Sequence, residues 1–313
     1  MSQTMELAPI LLAIATGAVQ RGTPIALAAI GEGMTERSGV MNLGVEGMML
    51  AGALAGFAVQ FYTGNVVLAI LGAGLAGAML ACLHAIMVLL CNANQIVSGF
   101  ALTILGTGLS GYFGRSFVGA NIKGVRETAI PFLSRIPLVG DIFFRQDVFV
   151  YLAVVLTAVS WLIFKRSRFG LAVRAVGADP ESAYAQGVRV RQTRFLAILI
   201  GGFLAGVGGA HLSVANTQVW TEKMTAGQGW IAVGLVIVAR WRPVPTIIVA
   251  WAFGGMLVLH PYLQAFGSNL SSYIIGMMPY LAAAIALVIV TVFSRRSGQG
   301  MPAALARQLN LPE

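Results

Sequence analysis

Glu46 stands in the stretch NLGVEGMMLAG, where glycines flank an ionisable side chain in an apolar run. A charge inside a membrane is costly, and such groups mark solute or ion pathways or pair with polar groups on other helices. Asn42 lies four residues earlier, on the same helical face. The glycines would let that helix break, and unwound backbone at membrane depth persists only where it lines a cavity or is packed in protein. Two readings stay open: Asn42 and Glu46 face a solute path, or they bond to a neighbouring helix. A second polar stripe, with Asn94, Gln95, Ser98 and Thr103 in NANQIVSGFALT, carries the same two readings.

Other reactive side chains do not assemble into a catalytic pattern. Glu32 and Glu36 are one helical turn apart beside Arg37, and read as charges at the membrane interface. His84, His211 and His260 are scattered, without the i, i+4 pairing of a helical metal site, and read as structural histidines. No serine sits in a nucleophile elbow, and no G-x-x-x-x-G-K-[ST] loop exists to cradle phosphates. GTGLSG at 106–111 matches G-x-G-x-x-G, but it lies inside an apolar run with no preceding strand, so it reads as close helix packing. Cys82 and Cys91 lie nine residues apart in one apolar run, about 13 Å along a helix, too far for a disulfide. They read as free, buried thiols.

The elements that must position these residues follow from composition. Of 313 residues 58% are hydrophobic and 10% charged, against roughly a quarter charged in a soluble domain. Apolar runs of about 20 residues recur throughout, each able to cross a ~30 Å hydrocarbon core as a helix. The expectation is an all-α, polytopic transmembrane helical bundle forming one domain over 1–313. It has about nine spans (8–10): 7–30, 40–61, 66–90, 95–117, 148–165, 195–216, 226–240, 243–261 and 272–293. The 226–240 span is short and reads as broken or re-entrant, and the Gly-rich 40–61 span as open to interruption. Small residues, as in LGAGLAGAML and GGFLAGVGGA, let membrane helices approach closely. MSQTMELAPILLAIATG lacks a basic n-region and reads as a first span rather than a signal peptide.

The net charge of +9 reflects basic loops, as the positive-inside bias demands, rather than nucleic-acid binding. Segment 165–194 holds seven Lys and Arg against Asp179 and Glu181, and the tail at 294–313 is also basic. Both are expected in the cytoplasm, which places the N-terminus and the 118–147 loop outside.

The 165–194 segment has its own grammar. Gly177 ends one helical stretch, Asp179 caps the next, and Pro180 takes the first helical position, where its missing N–H costs nothing. Residues 181–186 continue a two-turn helix that Gly187 stops. A plain connector needs only a few residues, so a capped helix here points to docking. Within it Ala183, beside Ala185, is small enough for close approach to a partner, and Tyr184 lies between them.

AVGADPESAYAQGV resembles the coupling loop of ATP-binding-cassette importer permeases, in the family of ribose, simple-sugar, nucleoside and branched-chain amino-acid permeases. Members carry a pattern like A-x-G-x-N-P-x-A-A-x-x-x-G. Asp179 stands here for the usual asparagine and Ser182 for the first alanine. GEGMTERSGVMNLGVEGMMLAGA (31–53) is similar to the nucleoside subgroup. GQGWIAVGLVIVARWRPV (227–244) resembles a family block with Arg240 where glycine is usual, and MMPYLAAAIAL (277–287) resembles its terminal segment. The resemblance implies a fold like type II importer permeases and a transport subunit, not an enzyme. On that resemblance it would take up nucleosides or sugar-like solutes across the bacterial inner membrane and would bind no cofactor itself. ATP-Mg would sit on a partner ATPase, docked on Gly177, Asp179, Pro180, Ala183, Tyr184 and Gly187. Other implied partners are a second, longer permease subunit, a periplasmic or lipid-anchored binding protein, and membrane lipids. The alternative is an ion-coupled secondary transporter of small polar solutes, which would place ionisable residues such as Glu46 in discontinuous helices.

Overall fold

The computed structural model describes residues 2–125, 127–265, 271–297 and 301–308. Residues 298–300 and 309–313 of the tail lie outside these, as does the side chain of His260. The chain is almost wholly helical. Its elements are α1 (Ser2–Arg37), α2 (Val45–Thr63), α3 (Val66–Leu89), α4 (Gln95–Gly114), α5 (Val139–Phe143), α6 (Val148–Arg166), α7 (Arg168–Ala178), α8 (Pro180–Ala185), α9 (Val190–Ala210), α10 (Gln228–Val238), α11 (Pro243–Ala265), α12 (Ser272–Ser297) and α13 (Ala303–Gln308). A two-residue antiparallel pair, Thr128–Ala129 with Arg145–Gln146, orders the 118–147 loop. Eight of the described helices are long and apolar enough to cross a membrane.

Side-chain caps set where several helices begin. Asn65, Asn94 and Asp147 each accept two backbone N–H bonds at the starts of α3, α4 and α6, satisfying donors that would otherwise be orphaned. Cys82 is half-buried in α3, but Cys91 is exposed, because α3 stops at Leu89 and leaves it past the helix end. The expectation of two buried thiols is corrected for Cys91.

α9 is the packing centre, its surface shared among α1, α2 and α3. Glycine makes this possible: a Cβ on Gly52 of α2 would lie 2.2 Å from the Gly206 carbonyl oxygen of α9. Without that contact, dispersion between close backbones, the main glue of helices in lipid, is lost. α9 continues through a π-helical turn, His211–Asn216, where His211 Nε2 meets the Asp147 carboxylate at 3.1 Å.

Two crossings are interrupted. α1 runs seven residues beyond its expected end at 30, so Glu32 and Glu36 are carried inside the protein, 1% and 0% exposed. They are not interfacial charges; the segments after α1 and α10 cover them. Residues 38–44 are non-helical, and α2 starts only at Val45. Asn42 is therefore not on a helical face with Glu46. Its side-chain oxygen accepts from the Gly44 N–H at 3.0 Å, a local turn that competes with helix.

The second break precedes α10, whose 11 residues span about 16 Å, half a hydrocarbon core. Val219 pairs with Asn121 of the 118–147 loop, and Trp220 lies against Gly114 at the end of α4. Gly229 reaches Glu46 at the start of α2, and Trp241 reaches Glu36 near the other end of α1. The chain thus descends unwound through 217–227 and completes the crossing as a half-helix.

Candidate functional site

The two breaks meet at Glu46. Its Oε1 accepts from Thr225 Oγ1 at 2.5 Å and from the Gly227 N–H at 2.8 Å, and its Oε2 accepts from the Gly229 N–H at 2.7 Å. Glu46 lies in the first turn of α2, and its carboxylate sits on the N-terminus of α10, where free N–H groups and the helix dipole favour negative charge. A Cβ on Gly229 would be 2.6 Å from the Glu46 backbone, so only glycine fits this approach. The segment it holds is strained: Gln218, Lys223 and Ala226 all have left-handed φ, at 58°, 56° and 47°. Glu46 and Thr225 are buried, at 6% and 0% exposure.

The polar stripe on α4 converges on the other break. Gln95 Oε1 accepts from the Met41 N–H at 2.8 Å, and Thr103 Oγ1 donates to the Leu43 carbonyl at 3.0 Å. Ser98 Oγ lies 2.9 Å from His84 Nδ1, whose Nε2 contacts the Met41 carbonyl at 3.1 Å. Asn42 donates its backbone N–H to Glu32 Oε1 at 2.9 Å. Asn42, Gln95, Ser98 and Thr103, expected from spacing alone, are thus brought together around residues 41–44. His84 acts as the structural bridge expected of it. Irregular backbone at this depth needs such partners, because no water is present to satisfy it.

The capped helix of the 165–194 segment is α8. Asp179 Oδ1 accepts from the Glu181 N–H at 3.3 Å, and the Ser182 hydroxyl donates to Oδ2. That hydroxyl bond holds the Asp179 carboxyl below the usual carboxylate range. Pro180 occupies the first turn, and Gly187 ends the turn with φ 82°. A Cβ on Gly177 would meet the Arg37 carbonyl oxygen at 1.9 Å, so α7 is seated tightly on the end of α1. Ala183, expected to face a partner, is 5% exposed and packs inward, because every third or fourth position of α8 turns toward the chain itself. Tyr184, 76% exposed, is the outward residue.

Several contacts had no sequence signal beyond glycine content. Thr225, Gly227 and Gly229 are 179 to 183 residues from Glu46. Trp241 Nε1 donates to the buried Glu36 carboxylate, across 205 residues. Arg240 and Trp241 turn from α10 to α11 with φ of 54° and 55°, which gives the physical reason glycine suits position 240. The tail returns to α7: Leu305 and Ala304 are 1% and 4% exposed, and Arg307 Nη1 lies 3.7 Å from Asp179 Oδ1.

Comparison with known proteins agrees with this architecture. Residues 14–284 match the family described as branched-chain amino acid transport system / permease component. A protein of Haloferax volcanii, to which a glucose ABC transporter permease role is ascribed, is 41% identical over 93% of this chain and 95% of its own length. The guanosine ABC transporter permease protein NupQ of Bacillus subtilis is 30% identical over 90% of this chain and 93% of its own. NupP, also a guanosine ABC transporter permease protein of that organism, is 21% identical over 77% of this chain and 71% of its own. With two discontinuous crossings locked together in an all-helical bundle and a match across most of its length, the chain belongs to the family of ABC transporter permease components and is a multi-pass membrane transport subunit.

Proposed function

We propose that this chain is the membrane-spanning subunit of an ATP-driven importer for nucleosides or related sugar-like solutes. The observation that carries the reading is α8: a side-chain-capped helix with Tyr184 outward, following directly on α7, which Gly177 seats on the end of α1, the helix leading to the first break. An ATPase that pushed α8 would move α7 and the end of α1, and through residues 38–44 the Glu46 junction. ATP-Mg belongs to that partner. Family membership favours this reading over an ion-coupled secondary transporter, which has no use for a docking helix.

The solute class rests on the roles of the relatives, glucose in one and guanosine, a nucleoside, in the other. The branched-chain amino acid in the family's description is a family label. NupP and NupQ coexist in one organism, and the match covers a smaller share of NupP than of this chain. This supports a heterodimer with a longer permease. A periplasmic or lipid-anchored binding protein would deliver solute to the face opposite α8. In this arrangement the 165–194 segment and the tail lie in the cytoplasm, the N-terminus outside, and the subunit in the inner membrane. Asn42, Glu46, Gln95, Ser98 and Thr103 shape the path by holding its unwound walls.

The test is solute-stimulated ATP hydrolysis by the co-expressed complex in vesicles, with guanosine, glucose and leucine supplied through the binding protein. Stimulation by guanosine or glucose supports the proposal. Stimulation by leucine alone would overturn the solute class, and uptake driven by an ion gradient without ATP would overturn the mechanism.

A further inference from the structure

Between the last turn of α3 and the first turns of α9 lies a groove of about 340 Å³. Ile86, Leu89, Leu90, Phe195 and Leu196 line it with carbon, and Arg191 and Gln192 complete the lining where it adjoins the surface around Pro180 and Tyr184. Ile86, Leu90 and Leu196 are exposed, at 39%, 64% and 48%. The groove opens within about two turns of both helix ends, the depth where hydrocarbon gives way to headgroups.

Arg191 is the unusual member. Arg194, three residues on, donates Nε to the Ser38 carbonyl at 3.0 Å, and Arg189 reaches Gln192 Oε1 at 3.4 Å. Arg191 is exposed and has no hydrogen-bond or ion-pair partner among the described residues. Glu181 is the carboxylate on the adjoining surface, which Arg189, Arg191 and Arg194 also line. An unpaired cation bordering a carbon-lined groove selects a ligand with a negative head and an apolar tail. A soluble anion would leave the groove unfilled, and a zwitterionic lipid would bring its own cation to Arg191.

We propose that this groove is a binding site for an anionic phospholipid of the leaflet on the α8 side. One acyl chain lies against Ile86, Leu90 and Leu196, and the phosphate sits at Arg191. Because Arg191 also borders the surface around Pro180 and Tyr184, the lipid would sit beside the coupling helix. A basic residue near an anionic membrane surface gains about a fivefold preference.

The full-length chain in detergent would be titrated with dioleoylphosphatidylglycerol or dioleoylphosphatidylcholine, and retained lipid counted by native mass spectrometry. The wild type should keep the anionic lipid about fivefold better. R191Q should lose that preference while still binding lipid. L196W, whose ring would lie across the groove, should retain less of both lipids. Both positions are exposed, so folding should persist, and unchanged melting would verify it. R166Q, which removes a basic group at a different exposed site, should leave the preference intact. Equal retention of the two lipids by wild type would overturn the proposal, as would a preference that survives R191Q or lipid retention that is undiminished in L196W. Displacement of the lipid by the purified partner ATPase would also overturn it, by making the groove a protein seat.

Discussion

Gly229 donates its backbone N–H to Glu46 Oε2 at 2.7 Å, and it lies so close that any side chain there would strike the Glu46 backbone. This one contact joins the starts of α2 and α10, two elements that begin after an unwound stretch. Each break leaves backbone groups that need partners inside the bilayer. The Glu46 carboxylate supplies acceptors for three donors at one break from the other side.

Glu46→Gln keeps the shape but turns one acceptor oxygen into an amide donor, facing an N–H that also donates. One of the bonds to Thr225, Gly227 or Gly229 must be lost, at about 1–3 kcal/mol. The variant should insert and assemble, melt at lower temperature, and transport more slowly. Uptake kinetics and melting identical to wild type would remove Glu46 from the mechanism.

Gly229→Ala and Gly234→Ala form a matched pair in α10. The first Cβ would lie 2.6 Å from Glu46 backbone atoms, whereas the second meets nothing within 4 Å. Overpacking at 229 should cost about 1–3 kcal/mol and displace the half-helix. At 234 the change should be neutral or stabilising by up to about 1 kcal/mol. Uptake measured side by side should fall only for Gly229→Ala; equal effects would mean the Glu46 contact is not limiting.

Tyr184→Ala removes the outward ring of α8 without touching the Asp179 cap. Losing a central aromatic contact commonly costs about 2 kcal/mol, roughly 30-fold in affinity. Pull-down of the ATPase should weaken to that extent, while binding protein still docks from the opposite face. Ala183→Trp should behave differently: Ala183 is packed within the chain, so α8 itself should be disordered and protease-sensitive. Full docking in both variants would reduce the 165–194 segment to a linker.

Leu305→Asp puts a charge where Leu305 is 1% exposed against the tail's seat near α7. Burying a leucine contributes about 1.5–3 kcal/mol, so the tail should detach and be cut by protease at least about tenfold faster. Spans should be unaffected, because the seat lies outside them. Unchanged cleavage would show that Arg307 and Asp179 hold the tail without the leucine.

Composition and periodicity by themselves determined the all-helical, multi-pass architecture, because runs of apolar residues near 20 long leave a helix as the one way to satisfy the backbone in lipid. Local chemistry also determined the α8 cap, since Asp179, Pro180 and Gly187 act on neighbours a few residues away. Glycine content left the 40–61 span open to interruption, and the shortness of the 226–240 span marked it as broken or re-entrant. What sequence could not supply was partnership across distance. Glu46 meets donors more than 175 residues away, Glu32 and Glu36 are buried only because later segments fold over them, and Ala183 faces inward because α8 has a side to lie on. Asn42 left the helix because its side chain found a nearer N–H at Gly44. Spacing fixes which residues share a face, but which face meets protein is decided by the packing of the whole bundle.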